Sequence, residues 1–232
     1  MKIAIVMTEA LIVRQLMKEQ LNWIARLGFK VTVICNNSED SNWIKNQGVK
    51  CIHLDFKRKI SLFHDLKSLF KLILVLKKLK PNLIHYSTPK TSLLTPLAIK
   101  LGLIKCGVIY TIRGRVYENY NLLNMKIFEF FDFFSCLVAD KVIFISKEMK
   151  RNYLERGVLP KYKALVLGNG SSNGFNIKNF RKPTYKEKIK SKKYFKLNNF
   201  SKIKVVSYVG RINKDKGIND LLNVYQKLLK KN

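Results

Sequence analysis

The chain has 232 residues, 47% of them hydrophobic, and Lys+Arg outnumbers Asp+Glu by 45 to 15, a formal net charge of +30. The length suits one large domain or one domain plus part of another, and the apolar fraction excludes wholesale disorder. The charge excludes a near-neutral surface and calls for an anionic partner, whether nucleic acid, acidic lipid or a phosphorylated substrate.

Short β-branched runs alternate with helix-like patterns along most of the chain. Residues 3–7 read as a strand, and residues 13–27 as a helix stopped by Gly28. Strands follow at 31–35 and 50–54. Leu62–Leu79 is an amphipathic helix, with Leu62, Leu66, Leu69, Ile73, Leu76 and Leu79 on one face and lysines on the other, closed by Pro81. Lys67, Lys71, Lys77 and Lys78 interrupt its apolar run, which is too broken to span a membrane. Next come a strand at Leu83–Tyr86, a helix over 91–101 before Gly102, a strand at Gly107–Ile112 and an apolar helix over 125–139. A strand at 141–145, a helix over 147–156 before Gly157 and a strand at 164–167 complete the series. Strands joined by crossover helices predict an α/β fold, a doubly wound parallel Rossmann-like sheet. Continuous apolar strands fit burial on both faces.

This first domain is expected to span residues 1–180. Residues 181–202 read as a basic linker with a short helix. Residues 203–232 open a second Rossmann-like domain: a strand at 205–209, Gly210-Arg211, Lys216-Gly217 and a helix from about Asn219 to 230. One strand and one helix do not bury an apolar face of their own, so this unit is expected to be the opening of a second α/β domain whose remainder is missing. The charge is clustered, since residues 57–105 and 178–204 each carry a net +10.

Cys35, Cys51, Cys106 and Cys136 form no CxxC pair, and each lies in or beside an apolar run, the pattern of buried reduced thiols. No signal-peptide core leads the chain, which implies a cytoplasmic setting. The three histidines form no metal motif, and no Walker A sequence occurs. The loop Thr8-Glu9-Ala10 lacks the glycine that a dinucleotide pyrophosphate needs, so neither a metal nor a bound cofactor is expected.

Ligands of open parallel sheets bind beyond the carboxyl ends of the strands. There the chain carries His85-Tyr86-Ser87-Thr88-Pro89-Lys90, which gathers hydroxyls, an imidazole and a cation. It also carries Thr111-Ile112-Arg113-Gly114-Arg115 with Glu118 close behind, two arginines suited to an anionic or polyhydroxylated ligand. Residues 168–174 hold glycines and asparagines that tolerate positive φ and form either an anion nest or a hinge. Gly210-Arg211 with Lys216-Gly217, leading into a helix N-terminus, reads as a diphosphate clamp. The plain alternative for every one of these loops is a solvated turn.

As an ordered set these stretches resemble glycosyltransferase family 4, of the kind that builds capsules, O-antigens and other bacterial surface glycans. Ser87-Thr88-Pro89-Lys90 resembles the family's Thr-Pro-Lys loop, and the segment from Tyr110 to Glu118 its Tyr-Thr-x-His/Arg-Gly segment. Ala139-Asp140-Lys141-Val142-Ile143-Phe144-Ile145-Ser146 resembles its Ala-Asp-x-Val-Ile-x-x-Ser strand. Residues 168–176 with Phe180 resemble its crossover, and Gly210-Arg211 with Lys216-Gly217 its donor motif. The resemblance implies the GT-B arrangement, two Rossmann-like domains across a cleft, the first receiving the acceptor and the second a nucleotide sugar, with no bound catalytic metal. It points to Arg14, His85, Thr88, Lys90, Arg115 and Glu118 on the acceptor side. Asn169, Gly170, Ser172, Asn173 and Gly174 fall at the crossover, and Gly210, Arg211, Lys216 and Gly217 at the donor diphosphate. Arg113 takes the catalytic position at which some members carry histidine. Arginine is no base near neutral pH, which favours an anion-binding role there.

The family's later pair of glutamates has no counterpart before Asn232, so this polypeptide alone is expected to bind a nucleotide sugar weakly and turn over little or nothing. The readings that remain open are a fragment of an interrupted gene, half of a split pair completed by a separate chain, and a non-catalytic membrane or interaction module left over from an enzyme. The acceptor in such pathways is often a polyprenyl-diphosphate glycan. Leu62–Leu79, or the apolar run at 127–134, then offers a peripheral contact with the anionic inner face of the membrane. A nucleic-acid partner is not expected: no RRM, KH, zinc-finger or helix-turn-helix signature occurs, and the basic segments lack regularly spaced aromatics.

Overall fold

A computed structural model describes residues 1–57, 61–114, 122–174, 177–196, 207–213 and 216–229. The chain divides into two units, Met1–Phe175 and Asn176–Asn232.

The first unit is built on seven parallel strands: β1 Lys2–Glu9, β2 Lys30–Asn36, β3 Lys50–His53, β4 Leu83–Tyr86, β5 Gly107–Ile112, β6 Lys141–Phe144 and β7 Ala164–Val166, in the order β3-β2-β1-β4-β5-β6-β7. Its helices are α1 Ala10–Met17, α2 Gln20–Arg26, α3 Ser41–Lys45, α4 Leu62–Leu79, α5 Pro89–Leu101, α6 Leu122–Val138 and α7 Lys147–Glu155. Side-chain alternation along β1 builds two cores from one strand. Ile3, Ile5 and Met7 pack with Val13, Met17 and Leu21, whereas Ala4 and Val6 pack with Leu72, Leu76 and Ala98. The strand order reverses at β1 and β4, the doubly wound arrangement whose switch point opens a crevice at the strands' carboxyl ends.

Several local readings change. The helix expected over 13–27 is two helices, because the backbone leaves helical geometry at Lys18 (φ 17°, ψ −111°) with neither glycine nor proline to announce it. No loop separates β1 from α1: Ala10 opens the helix directly after Glu9. The short helix α3 was not anticipated, and β3 ends one residue sooner than expected. Helix α4 has the expected bounds but not the expected face. It buries Asp65, Ser68, Leu69, Leu72 and Leu76, while Leu62 and Leu66 are exposed. Two polar contacts set that rotation: Lys90 Nζ binds both Asp65 oxygens at 2.7 Å, and the Ser68 hydroxyl donates to the Asp55 carbonyl at 2.7 Å. Two of the four thiols, Cys35 and Cys136, are buried and two are half-buried, all four free.

Helix α5 begins at a capping box. The Thr88 side chain accepts from the Thr91 backbone, Thr91 answers to the Thr88 backbone, and Pro89 occupies the first turn, where its missing N–H costs nothing. Pro96 sits inside the helix and leaves the Ser92 carbonyl without its usual donor; the Ser135 hydroxyl of α6 donates to that carbonyl instead. Asp132 of α6 accepts from Tyr110 Oη at 2.9 Å and from Tyr153 Oη at 2.7 Å. These bonds fix α6 against α5 and the sheet and thereby set one wall of the site.

In the second unit, α8 Tyr185–Tyr194 starts from a second capping box, Thr184 with Glu187, and buries no residue. Arg181 pairs with Glu187 at 2.7 Å and, with Thr184, holds that carboxyl down at about 2. Helix α9 spans Ile218–Leu229. Residues 207–209 of the expected strand lie in no regular element, and residues 205–206 lie outside the described residues.

Candidate active site

At the switch point β1 and β4 pair from Ile3↔Leu83 to Val6↔Tyr86 and then part. Thr8 and Thr88 bridge the gap: the Thr8 N–H donates to Thr88 Oγ1 at 3.1 Å, and the two hydroxyl oxygens lie 2.7 Å apart. Above this bridge opens a cleft of about 550 Å³. Thr8, Ser87, Thr88, Lys90, Ser92, Thr111, Arg113 and Asp132 give it polar lining, and Ile12, Leu16, Leu93, Tyr110, Phe128 and Phe131 give it apolar lining.

Arg113 is the cation of this cleft whose partners, among the described residues, are all uncharged. Its guanidinium donates to the Ser172 carbonyl at 3.0 Å, to the Ser172 hydroxyl, and through Nε to Ser87 Oγ at 3.4 Å, and it lies 3.8 Å from Met17 Sδ. Burial lowers its pKa from the ordinary guanidinium value. A half-buried cation without a counter-ion is costly, and an anion reaching it is strongly favoured.

The other acceptor-side positions divide. Thr88 lines the cleft, though its hydroxyl is already engaged with Thr8 and Thr91. Lys90 also lines it, but its ammonium is held by Asp65, with side chains only 5% and 12% exposed. His85 does not line the cleft. It lies on the far face of β4 from Tyr86, 2.8 Å from Thr111 Oγ1, and burial, with the Arg113 charge second, lowers its pKa to about 4. Arg14 is likewise absent from the lining and pairs with Asp40 at 2.8 Å. Arg115 and Glu118 lie outside the described residues.

The crossover residues are tied into the first unit. Ser172 anchors Arg113, and Asn173 Nδ2 donates to the Gln15 carbonyl at 2.9 Å. Gly170 has φ 89°, and a Cβ there would lie 2.8 Å from the Ile145 carbonyl, so glycine is required. Asn169 is exposed, and the N–H of Gly174 donates to Ser171 Oγ at 2.8 Å. In the second unit, the Tyr208 hydroxyl donates to the Arg211 carbonyl at 2.8 Å and sits 3.4 Å from that of Lys216. The two carbonyls it meets lie ahead of Gly217 (φ 71°) and α9.

Sequence reading missed Asp132, Leu93, Phe128 and Phe131 as parts of this site. Asp132, one of two carboxylates within an aromatic helix, was the available signal, because a buried charge needs donors from elsewhere in the fold.

The chain belongs to glycosyltransferase family 4, whose model matches residues 13–171. It is 31% identical over 218 residues to the capsular polysaccharide biosynthesis glycosyltransferase CapM of Staphylococcus aureus, covering 93% of this chain and 55% of that protein. It is 27% identical over 186 residues to the UDP-Gal:alpha-D-GlcNAc-diphosphoundecaprenol alpha-1,3-galactosyltransferase of Escherichia coli, covering 79% and 46%. The chain thus spans about half the length of the curated relatives it matches. Sucrose-phosphate synthase from Thermosynechococcus elongatus shares the fold, with TM-score 0.67 at 16% identity over 97% of this chain and 59% of that one.

Proposed function

We propose that the chain carries the acceptor side, and the opening of the donor side, of a glycosyltransferase of bacterial surface-polysaccharide synthesis. The enzyme moves a sugar from a nucleotide sugar to a lipid-linked glycan. The observation that carries this reading is Arg113, a half-buried cation with uncharged partners at the switch-point cleft of the family's fold. Arg113 receives the acceptor's diphosphate, and the hydroxyls of Thr8, Ser87 and Thr88 meet its first sugar. Gly210, Arg211, Lys216 and Gly217, at the N-terminus of α9, hold the donor diphosphate, and their positive field stabilises it as it departs. The nucleotide sugar is a co-substrate; no other cofactor enters the reading. The two relatives support it, one named for capsular polysaccharide biosynthesis and the other for a UDP-Gal donor and a diphosphoundecaprenol acceptor.

Peripheral membrane contact belongs to the same reading. Among the described residues no helix is long and apolar enough to cross a membrane. The outer side of α4 nevertheless exposes Leu62, Phe63, Leu66, Phe70 and Leu74 beside Lys67 and Lys71. Such a side lies on anionic lipid, each lysine contributing about 1 kcal/mol.

Calorimetric titration with a diphosphoundecaprenol-linked monosaccharide in detergent tests the acceptor assignment. Saturable binding is expected, weakened roughly tenfold or more by Arg113→Gln. No binding by the parent chain, or equal binding by the variant, overturns the reading.

A further inference from the structure

We infer that Cys35 and Cys51, with His53 beside them, form a binding site for a thiophilic divalent cation, zinc or one of its kind, at the edge of the sheet. None of the three lines the cleft, and the site takes no part in the sugar transfer proposed above.

The first observation is the separation of the sulfurs. Cys35 Sγ lies 3.9 Å from Cys51 Sγ, and both thiols are free. Two zinc–sulfur bonds of about 2.3 Å at a tetrahedral angle hold their sulfurs about 3.8 Å apart. The pair therefore already stands at the bite of a tetrahedral ion. A disulfide fits less well. Its sulfurs must close to about 2.05 Å. Cys51 is the register partner of Val33, two residues along the strand from Cys35.

The second observation is the donor beside them. His53 is the register partner of Cys35, on a neighbouring strand about 4.8 Å away. Side chains alternate along β3, so His53 and Cys51 project to one face. Cys35 occupies that same face: Cys35 and Cys51 pack with Val33 and Ile44, whereas Ile52 and Leu54 pack on the other side of the sheet. Among the described residues no three metal-binding side chains stand together as placed. The His53 imidazole is exposed, and rotation about χ1 carries it toward the sulfurs. Two thiolates and an imidazole are a ligand set that zinc accepts, with water in the fourth position.

The third observation is access. β3 is the terminal strand in the sheet order. Cys35 is fully buried, but Cys51 is half-buried, so an ion reaches the pair from the Cys51 side. A bound ion displaces the protons of both thiols. Held by side chains of β2 and β3 together, it ties the edge strand to its neighbour.

The test titrates the whole chain, kept reduced, with Co²⁺ and then adds Zn²⁺ in competition. Cobalt bound to thiolate absorbs in the near ultraviolet by charge transfer, and a tetrahedral cobalt site absorbs strongly in the visible. One equivalent is expected to bind and to be displaced by Zn²⁺. Cys51→Ser, at the less buried thiol, and Cys35→Ala are each expected to lose the charge-transfer band. Cys106→Ser, at a thiol outside the pair, is expected to keep it. His53→Gln is expected to weaken Co²⁺ binding about tenfold. Circular dichroism checks that each variant folds. Zn²⁺ is also expected to raise the thermal midpoint of the parent but not of Cys51→Ser. No charge-transfer band in the parent, a band that persists in Cys51→Ser, or parental affinity in His53→Gln overturns the site.

Discussion

The two faces of the sheet are packed by different chemistry. Under α1, α2 and α3 the buried apolar set includes Ile3, Ile5, Met7, Val13, Met17, Leu21, Val31, Val33 and Ile44, and the buried polar side chain of α3 is the hydroxyl of Ser41. Under α4 to α7 the apolar core is larger, yet it also encloses the carboxylates of Asp65 and Asp132 and the hydroxyls of Ser68, Thr91, Ser92, Thr95 and Ser135. Burying polar groups is unfavourable unless they are paired, so an apolar layer of equal volume is the simpler solution. The second face accepts that cost where helices must be held at set rotations. Asp65 turns α4, Ser135 joins α6 to α5, and Asp132 docks α6 on the sheet. The second face carries the polar contacts that set α5 and α6 as walls of the cleft, while α1 of the first face adds Ile12 and Leu16 to it.

Breaking the Asp65–Lys90 pair is expected to give the largest effect. Lys90→Met leaves the Asp65 carboxylate buried without its cation and should cost about 3–5 kcal/mol in urea unfolding. Asp65→Leu combined with Lys90→Met should recover most of that loss, because the double variant removes both desolvated charges. Additive losses in the double variant would mean that the pair is not the element fixing α4. Recovered stability with weakened diphosphate binding would sharpen the comparison, by separating what the polar contacts do for the site from what they do for the fold.

The pattern of elements was legible where periodicity is local. Leu62–Leu79, Leu83–Tyr86 and Gly107–Ile112 have the bounds their residues imply. Thr88 and Arg113 were legible because strand ends are where a parallel sheet places its ligands. What failed depends on partners far along the chain. The rotation of α4 follows from Asp65 meeting Lys90, 25 residues away, against the better hydrophobic count of the Leu62 and Leu66 side. Arg113 is held by Ser172, 59 residues on, and Asp132 by Tyr110, 22 residues back. Arg14 and His85 bond to Asp40 and Thr111, partners that sequence reading did not name. Lys18 breaks its helix with no residue signal at all.

A pH titration probes the seam between the two faces. His85 sits among buried groups on the α1 side of β4, and its pKa falls to about 4, through burial first and the Arg113 charge second. The unfolded chain takes up a proton near pH 6.5, and the folded chain only near 4. Stability contributed by the neutral imidazole is therefore complete above about pH 6.5 and is lost as pH falls toward 4, by about 3 kcal/mol in total. His85→Gln should flatten that part of the stability curve, read from urea midpoints at pH 7, 5.5 and 4.5. A variant with the parent's slope would show that carboxylates elsewhere set the acid limit.

The smallest effect on stability belongs to the outer side of α4, and its smallness is informative. Phe63 is 92% exposed, and Phe70 lies on the same open side. Replacing both with serine removes almost no buried surface, so the unfolding free energy should move by no more than about 0.5 kcal/mol. Yet apolar side chains kept in water by a folded helix stand ready to enter an interface, where each yields a share of its burial energy. Sedimentation with anionic vesicles should therefore fall on the order of tenfold in Phe63→Ser/Phe70→Ser. Lys67→Gln/Lys71→Gln should instead weaken binding only to anionic vesicles, and most at low salt. Zwitterionic vesicles separate the two contributions: the serine pair still matters there and the glutamine pair does not. If the serine pair sediments like the parent, the polar contacts that rotate α4 have no surface to present, and the contrast between the two faces stops at the cleft.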